Sequence, residues 1–287
     1  YFSIQTQNFL FFVMDFCAGG EFFRFLQHQP GKRLCESHAR FYAAEVLLAL
    51  EYLHMMGFIY RDLKPENILL HSSGHIMLTD FDLSKQATGP LQAKVTRGGK
   101  VKVKAEVLTN SFVGTEEYIA PEVIIGEGHS FGVDWWTFGI LVFEMLCGAT
   151  PFRGRTRDET FQKITIGDMR IPSTVTLSKE AKSIVKKLLK ADEKKRLGHH
   201  HGAPDIKEHP WFKGKINFTL IRNMKPPIVP ALRGPDDTSM FPQVEDDNYF
   251  FEGETRTHVR ASDPFKGFKQ VNRPFEVIPD ASLNETV

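Results

Sequence analysis

Hydrophobic and polar positions divide this chain into segments with different periods. Residues 9–14, Phe-Leu-Phe-Phe-Val-Met, are an unbroken apolar run of strand length, the pattern of a buried strand. Asp15 to Gly20 break it, and 21–28 read as a helix opened by Gly19 and Gly20. Over 36–56, Phe41, Ala44, Leu48 and Tyr52 recur at helical spacing, with Ser37 as expected N-cap and Gly57 as stop. Ile68-Leu69-Leu70 and Ile76-Met77-Leu78 flank the turn Ser72-Ser73-Gly74, which predicts a hairpin. Residues 133–146 are apolar on nearly every helical face, so this helix belongs at the centre of a helical body. Two further helices are expected over 157–167 and 178–190, the second capped near Ser178.

Two stretches lack such a period. Residues 83–110 read as a long loop, and loops beyond about 12–15 residues are usually functional or disordered. It carries Lys94, Arg97, Lys100, Lys102 and Lys104 with no acid before Glu106, so it reads either as a solvated insertion or as a patch for an acidic surface. From Lys213 the texture changes: Pro226, Pro227 and Pro230 exclude helix interior, and 236–254 is acidic and turn-rich.

Composition narrows the class. With 287 residues, 41% hydrophobic and 25% charged, the chain can bury a globular core. A net charge of +1 argues against bulk attraction to nucleic acid or membrane. Three scattered cysteines, Cys17, Cys35 and Cys147, point to reduced thiols and a cytoplasmic setting. The most apolar run contains Gly139 and Glu144 and is too short to span a bilayer. The chain opens on Tyr1 in mid-pattern, which suggests a fragment.

The chemistry concentrates in Tyr60 to Asp82, YRDLKPENILLHSSGHIMLTDFD. Asp62 can take a proton from an attacking hydroxyl, and Lys64 can neutralise a phosphate in flight. Asn67 and Asp80 offer the hard oxygens that Mg²⁺ shares with substrate phosphates. The hairpin would hold Asn67 near Asp80, with Asp62 on the loop before it. Gly126, Gly128 and Gly132 lack the spacing of a phosphate loop. Three adjacent histidines, His199 to His201, point in different directions and make a poor single-metal site.

Arg61-Asp62-Leu63-Lys64-Pro65-Glu66-Asn67, then Asp80-Phe81 and Ala120-Pro121-Glu122, resembles the eukaryotic protein kinase signature. The stretch from Ser111 to Glu122 is similar to the activation segment of the AGC group of serine/threonine kinases. Asp-Phe-Asp at 80–82, the long insertion and Pro226-Pro227-Ile228-Val229-Pro230 look most like the fungal flippase-kinase group, with plant phototropin-type kinases next.

The resemblance implies a mainly α protein-kinase-like α+β fold. Residues 1–19 would be a remnant N-lobe strand and hinge, 20–212 a helical C-lobe with the catalytic hairpin, and 213–287 an extended C-terminal tail. It implies ATP and Mg²⁺ as cofactors, protein substrates, an upstream activating kinase as partner, and no role for nucleic acid. Asp62, Lys64, Asn67 and Thr115 would be catalytic, and Asn67 and Asp80 would hold metal. Met14, Asp15, Cys17, Glu21 and Phe241 would meet the nucleotide, and Glu21, Glu66 and Glu144 the substrate. Ser111 would carry an activating phosphate clamped by Arg61. Glu122 would pair with Arg196, and Asp134 would bond the catalytic-loop backbone. Phe265 and Phe268 would form the tail's docking motif, unpacked if its lobe is absent.

Two departures stand out. No Gly-x-Gly-x-x-Gly loop occurs in the 287 residues, and Asp82 stands where most kinases have a glycine. The first makes these residues alone an expected inactive piece of an active kinase; the alternative is a pseudokinase or truncated lobe that serves as a binding scaffold. The second places unusual backbone angles at Asp82, which Asp tolerates in part.

Overall fold

A computed structural model describes residues 2–5, 9–87, 92–95, 101–104, 115–126, 128–241 and 270–271. Ser111, Phe265 and Phe268 lie outside the described residues. The chain forms two compact units, Cys17–Phe241 and a smaller one of Tyr1–Phe16 with 242–287.

The larger unit is mainly helical. Its helices are α1 (Phe22–Gln27), α2 (Glu36–Met55), α3 (Pro121–Ile125), α4 (Gly132–Cys147), α5 (Arg157–Ile166), α6 (Lys179–Leu188) and α7 (Ala203–Lys207). Helix α4 is the axis, buried at every position except Glu144, as its all-round apolar pattern requires. It packs between α2 and α6, and Gly139 permits the close approach, since a Cβ there would lie 2.8 Å from Leu188 Cβ. Helix α6 starts as expected, with Ser178 Oγ accepting Ala181 N at 3.0 Å.

Helix α2 keeps most of the predicted stripe and widens it: Phe41 and Ala44 are buried and Leu48 packs partly against the core, joined by Ala39, Ala43, Val46, Leu47, Leu50 and His54, while Tyr52 is 64% exposed. The N-cap is Cys35 rather than Ser37. Glu36 lies inside the first turn, where its carboxylate accepts Ser178 Oγ at 2.8 Å and Trp211 Nε1 at 3.0 Å. That tertiary anchoring moves the helix start ahead of the serine.

Strands in this unit are short. β3 (Phe58–Ile59) pairs with β6 (Lys85–Gln86), and β4 (Ile68–Leu70) with β5 (Ile76–Leu78), the predicted hairpin in register Ile68↔Leu78. The supposed loop 83–110 is not all loop: β7 (Gln92–Val95) and β8 (Val101–Lys104) form an antiparallel ladder. The alternation of Val101 and Val103 with Lys102 and Lys104 is a short period-two signal that the reading as loop passed over.

Residues 213–241, expected as tail, belong to the larger unit and are tied to it. Arg222 Nη1 donates to Ile76 O at 2.9 Å and lies 3.2 Å from the buried Glu45 carboxylate. Glu45 also accepts Ile76 N at 3.0 Å and sits 2.5 Å from His75 Nδ1. Tyr42 donates to Ile228 O at 3.2 Å. Gly74, at φ +88°, leaves room for that segment, because a Cβ there would fall 2.4 Å from Ile228 O.

The smaller unit holds β1 (Phe2–Gln5), β2 (Leu10–Val13) and β9 (Gln270–Val271), in sheet order β2-β1-β9. The run 9–14 is thus a strand, but not a buried one: Phe12 is 70% and Met14 69% exposed. A strand buried on both faces needs a layer on each side, which apolar content alone cannot supply. Strand β1 was legible but missed, as Phe2 and Ile4 alternate with Ser3 and Gln5.

The strongest ionic tie is buried. Arg196 Nη1 and Nη2 donate to the two Glu122 oxygens at 2.6 and 2.8 Å, and Nη1 also to Gly132 O at 2.8 Å. Removing one partner strands the other charge, so Glu122→Ala should lower unfolding free energy by about 3–5 kcal/mol in denaturant titration. Asp168→Ala, which breaks the exposed Asp168–Arg170 pair, should leave the midpoint almost unchanged.

Candidate functional site

Loop 60–67 is suspended from α4 by one carboxylate. Asp134 is fully buried; its Oδ1 accepts Arg61 N at 2.8 Å and its Oδ2 accepts Tyr60 N at 2.9 Å. His54 Nε2 lies 2.7 Å from the same Oδ2. These contacts satisfy a charge that burial would otherwise penalise. They also hold Arg61 at φ +67°, a region that non-glycine residues seldom occupy.

From this anchor the chain brings three predicted residues together. Lys64 Nζ lies 2.9 Å from Asp62 Oδ2. Asn67 Nδ2 donates to the same oxygen at 2.7 Å and to Asp62 O at 2.9 Å. Both donors converge on Oδ2, which leaves Oδ1 for a further hydrogen-bond donor. Asn67 presents its amide nitrogen to Asp62, so its carbonyl oxygen is directed away from that carboxylate.

Asp80 is positioned by the hairpin and by Tyr60. Thr79 N donates to Asn67 O at 3.0 Å, extending the β4–β5 pairing to the residue before Asp80. Tyr60 Oη donates to Thr79 O at 2.5 Å, and its ring meets Phe81 edge-on at 5.4 Å. Burial, then the charges of Asp62, Asp80 and Asp134, push the Tyr60 phenol well above its usual range, so it stays a donor. The unusual backbone falls on Asp80 at φ +58°, and Asp82 is not among the positive-φ residues. Asp82 N donates to Asp80 Oδ1 at 3.3 Å. The expected strain at 82 is therefore corrected: the turn bends two residues earlier and needs no glycine there.

An acidic cluster borders the loop. Tyr118 donates a short bond to Glu144, and Thr150 one to Glu117. Burial raises the Glu144 pKa, the Tyr118 bond opposes that, and nearby Glu66 and Glu117 raise it further. Glu66 itself is exposed. Thr115 lines the same small cavity as Asp62 but hydrogen-bonds to neither Asp62 nor Lys64. Arg61 Nε donates to Leu83 O at 2.6 Å.

The remaining predicted residues divide between the units. Cys17 is buried, with its carbonyl accepting Gly20 N at 3.0 Å and its Sγ 3.6 Å from Met77 Sδ. Glu21 precedes α1 and bridges to Leu69, two residues after Asn67. Phe241 follows Met240, whose carbonyl closes on Gly20. Met14 and Asp15 belong to the smaller unit. The histidine run is used locally: His201 Nδ1 sits 2.8 Å from Asp205. Sequence reasoning missed His54 and Tyr60 as supports; the only hint was that a lone acid in an apolar helix must find polar partners.

A protein kinase domain model matches residues 1–212. The chain is 53% identical to flippase kinase 1 of Saccharomyces cerevisiae over 81% of its own length and 26% of the relative's. It is 52% identical to serine/threonine-protein kinase nrc-2 of Neurospora crassa, covering 86% of this chain and 42% of that one. Phototropin-1A of Oryza sativa is 51% identical over 79% of this chain and 26% of its own. The chain thus spans less than half of the length of each of these curated relatives.

If Asp134 suspends the loop, weakening its acceptor should loosen Tyr60 and Arg61 selectively. Asp134→Asn should speed hydrogen exchange at those two amides by about tenfold or more, the equivalent of one lost charge-assisted bond. Exchange at Ile184 and Val185 in α6 should change far less. Uniform acceleration across both regions would show only a general loss of stability.

Proposed function

The chain belongs to the protein kinase domain family, and from that premise we propose that the protein transfers the γ-phosphoryl group of ATP to serine or threonine hydroxyls of other proteins. The observation that carries this reading is the Asp62 carboxylate, with Oδ2 held by Lys64 and Asn67 and Oδ1 left to accept. A substrate hydroxyl donating to Oδ1 would be oriented for attack, and Asp62 would take its proton as the new P–O bond forms. Lys64 is close enough to Asp62 to meet negative charge at the same place. Positioning and charge stabilisation are the main contributions a protein makes to this chemistry.

Asn67 and Asp80 fit Mg²⁺ as a pair of hard oxygen donors, one amide and one carboxylate, of the kind that shares the ion with phosphates. The ion, when bound, would neutralise charge on the transferring group. Among the described residues no cluster of three His, Cys, Asp or Glu forms a separate metal cage, and no helix is long and apolar enough to cross a membrane. Glu21 and Phe241 are proposed nucleotide neighbours. Ser111 is the proposed site of an activating phosphate, added by an upstream kinase and met by Arg61.

The acidic cluster supports a basic substrate. Burial and the charges of Glu66 and Glu117 raise the Glu144 pKa, so an incoming cation would be welcome there, and an arginine fork can satisfy a carboxylate through two bonds.

Transfer of labelled phosphate from ATP to a protein substrate by the full-length protein, lost in Asp62→Asn, is the expected result. No transfer by the full-length protein would instead favour a binding scaffold. In a peptide array, Arg two and three residues before the target should outperform Ala by about ten- to a hundredfold in kcat/KM, or ~1–3 kcal/mol. Glu66→Ala should erase most of that preference at one of the two positions while leaving ATP affinity nearly unchanged. Equal rates for Arg and Ala peptides would refute it.

A further inference from the structure

His129 is a buried titratable group that the phosphoryl-transfer scheme does not use. It is 2% exposed, and its Nε2 is buried without a protein partner. Leaving a buried polar atom unpaired costs about 1–3 kcal/mol, so native folds seldom do so without cause. The imidazole borders a cavity of about 20 Å³ whose wall includes Arg61, Asp62, Thr115, Tyr118 and Thr137. That space admits one water molecule, and a buried water needs at least two polar partners. The lining includes residues able to supply them, His129 together with Arg61, Asp62 and Thr115, among apolar neighbours such as Leu63, Val123 and Val133.

We propose that His129 is a positioning residue for the Arg61–Asp62 stretch, holding one water molecule across this cavity as a neutral imidazole and losing that role when it is protonated. This rests on the kinase reading above. The charged groups around His129 are Arg61 and Lys85, both positive, and Glu122 and Asp134, both negative. Burial first, and then Arg61, lower its pKa. Both carboxylates are already committed, Glu122 to Arg196 and Asp134 to the loop amides. A proton on His129 would therefore face Arg61 with little compensation. Arg61 is a residue at positive φ whose amide donates to Asp134 and whose Nε donates to Leu83 O, and Asp62 is its neighbour. The direction follows from the lowered pKa. Below about pH 6.5 the unfolded chain binds a proton that the folded site resists, so this contribution is present above that pH and fades as pH falls.

The test compares full-length wild type, His129→Gln and His129→Phe. Glutamine keeps polar atoms but cannot titrate; phenylalanine removes them. Turnover measured from about pH 8 down to about pH 5.5 should fall more steeply below about pH 6.5 in wild type than in His129→Gln. At about pH 7.5, His129→Phe should lose roughly tenfold in kcat with KM for ATP nearly unchanged, and His129→Gln should recover most of that loss. An identical acid limb in wild type and His129→Gln, or wild-type kcat in His129→Phe, would overturn the proposal. A second arm needs no activity and so separates failure of this proposal from failure of the kinase reading. The difference in unfolding midpoint between wild type and His129→Gln should shift against wild type as pH drops through this window. A pH-independent difference would overturn the proposal. The buried His209, whose pKa is lowered to about 4, is common to both proteins and cancels in that comparison.

Discussion

One buried carboxylate governs the geometry of the site. Asp134 sits on the most enclosed helix of the molecule, and a charge there is tolerable only if it is fully bonded. Its partners are two consecutive loop amides and His54. The requirement works in both directions. The carboxylate needs the loop in order to be satisfied, and the loop needs the carboxylate to keep Arg61 in a left-handed conformation. His54 is itself fixed by Phe131 at 4.5 Å and Trp135 at 4.6 Å between ring centroids, so the anchor is packed as well as bonded.

The rest of the site is built outward from that fixed point. Asp62 follows Arg61 and is held by Lys64 and Asn67, and Asn67 starts the strand whose partner leads to Asp80. Tyr60 closes the circuit by bonding Thr79. A local hairpin and a single tyrosine therefore set the spacing of Asp62, Asn67 and Asp80. Among the described residues, two of the three non-glycine positive-φ residues, Arg61 and Asp80, lie in this circuit, the third being Lys32. Strain collected at the chemistry is the pattern expected where surrounding bonds over-determine the backbone.

Electrostatics give the two sides of the loop different characters. Toward Tyr118 the acids Glu66, Glu117 and Glu144 crowd together, with Glu144 half-buried and its pKa raised. Toward His129, burial and the charge of Arg61 lower the imidazole pKa. The first environment favours an incoming cation and the second resists one. Far from both, the Glu45–His75–Arg222 group joins α2, the hairpin and the segment after Ile221, so the later part of the chain also braces the hairpin.

The sequence by itself determined the elements whose signals are local. The hairpin follows from two apolar triplets around a Ser-Ser-Gly turn, and the central helix from its all-round apolar pattern. The start of α6 follows from a capping serine. That Asp62, Lys64 and Asn67 belong to one constellation was legible because their order and spacing match a family signature. The pairings Glu122–Arg196 and Asp134 with the loop came from the same resemblance, since nothing local links residues 74 positions apart. Tertiary structure alone decided what depends on partners distant in sequence. The apolar spacing of α2 placed Phe41, Ala44 and Leu48 inward, but what packs on the helix left Tyr52 outside and buried His54 instead. Its first turn was set by Ser178 and Trp211 reaching Glu36. The 9–14 run forms a strand without being buried, because burial requires covering layers that a strand cannot encode. Strain fell on Asp80 instead of Asp82 because Tyr60 and Asn67 fix Thr79 just before it, and the chain must turn at the next residue.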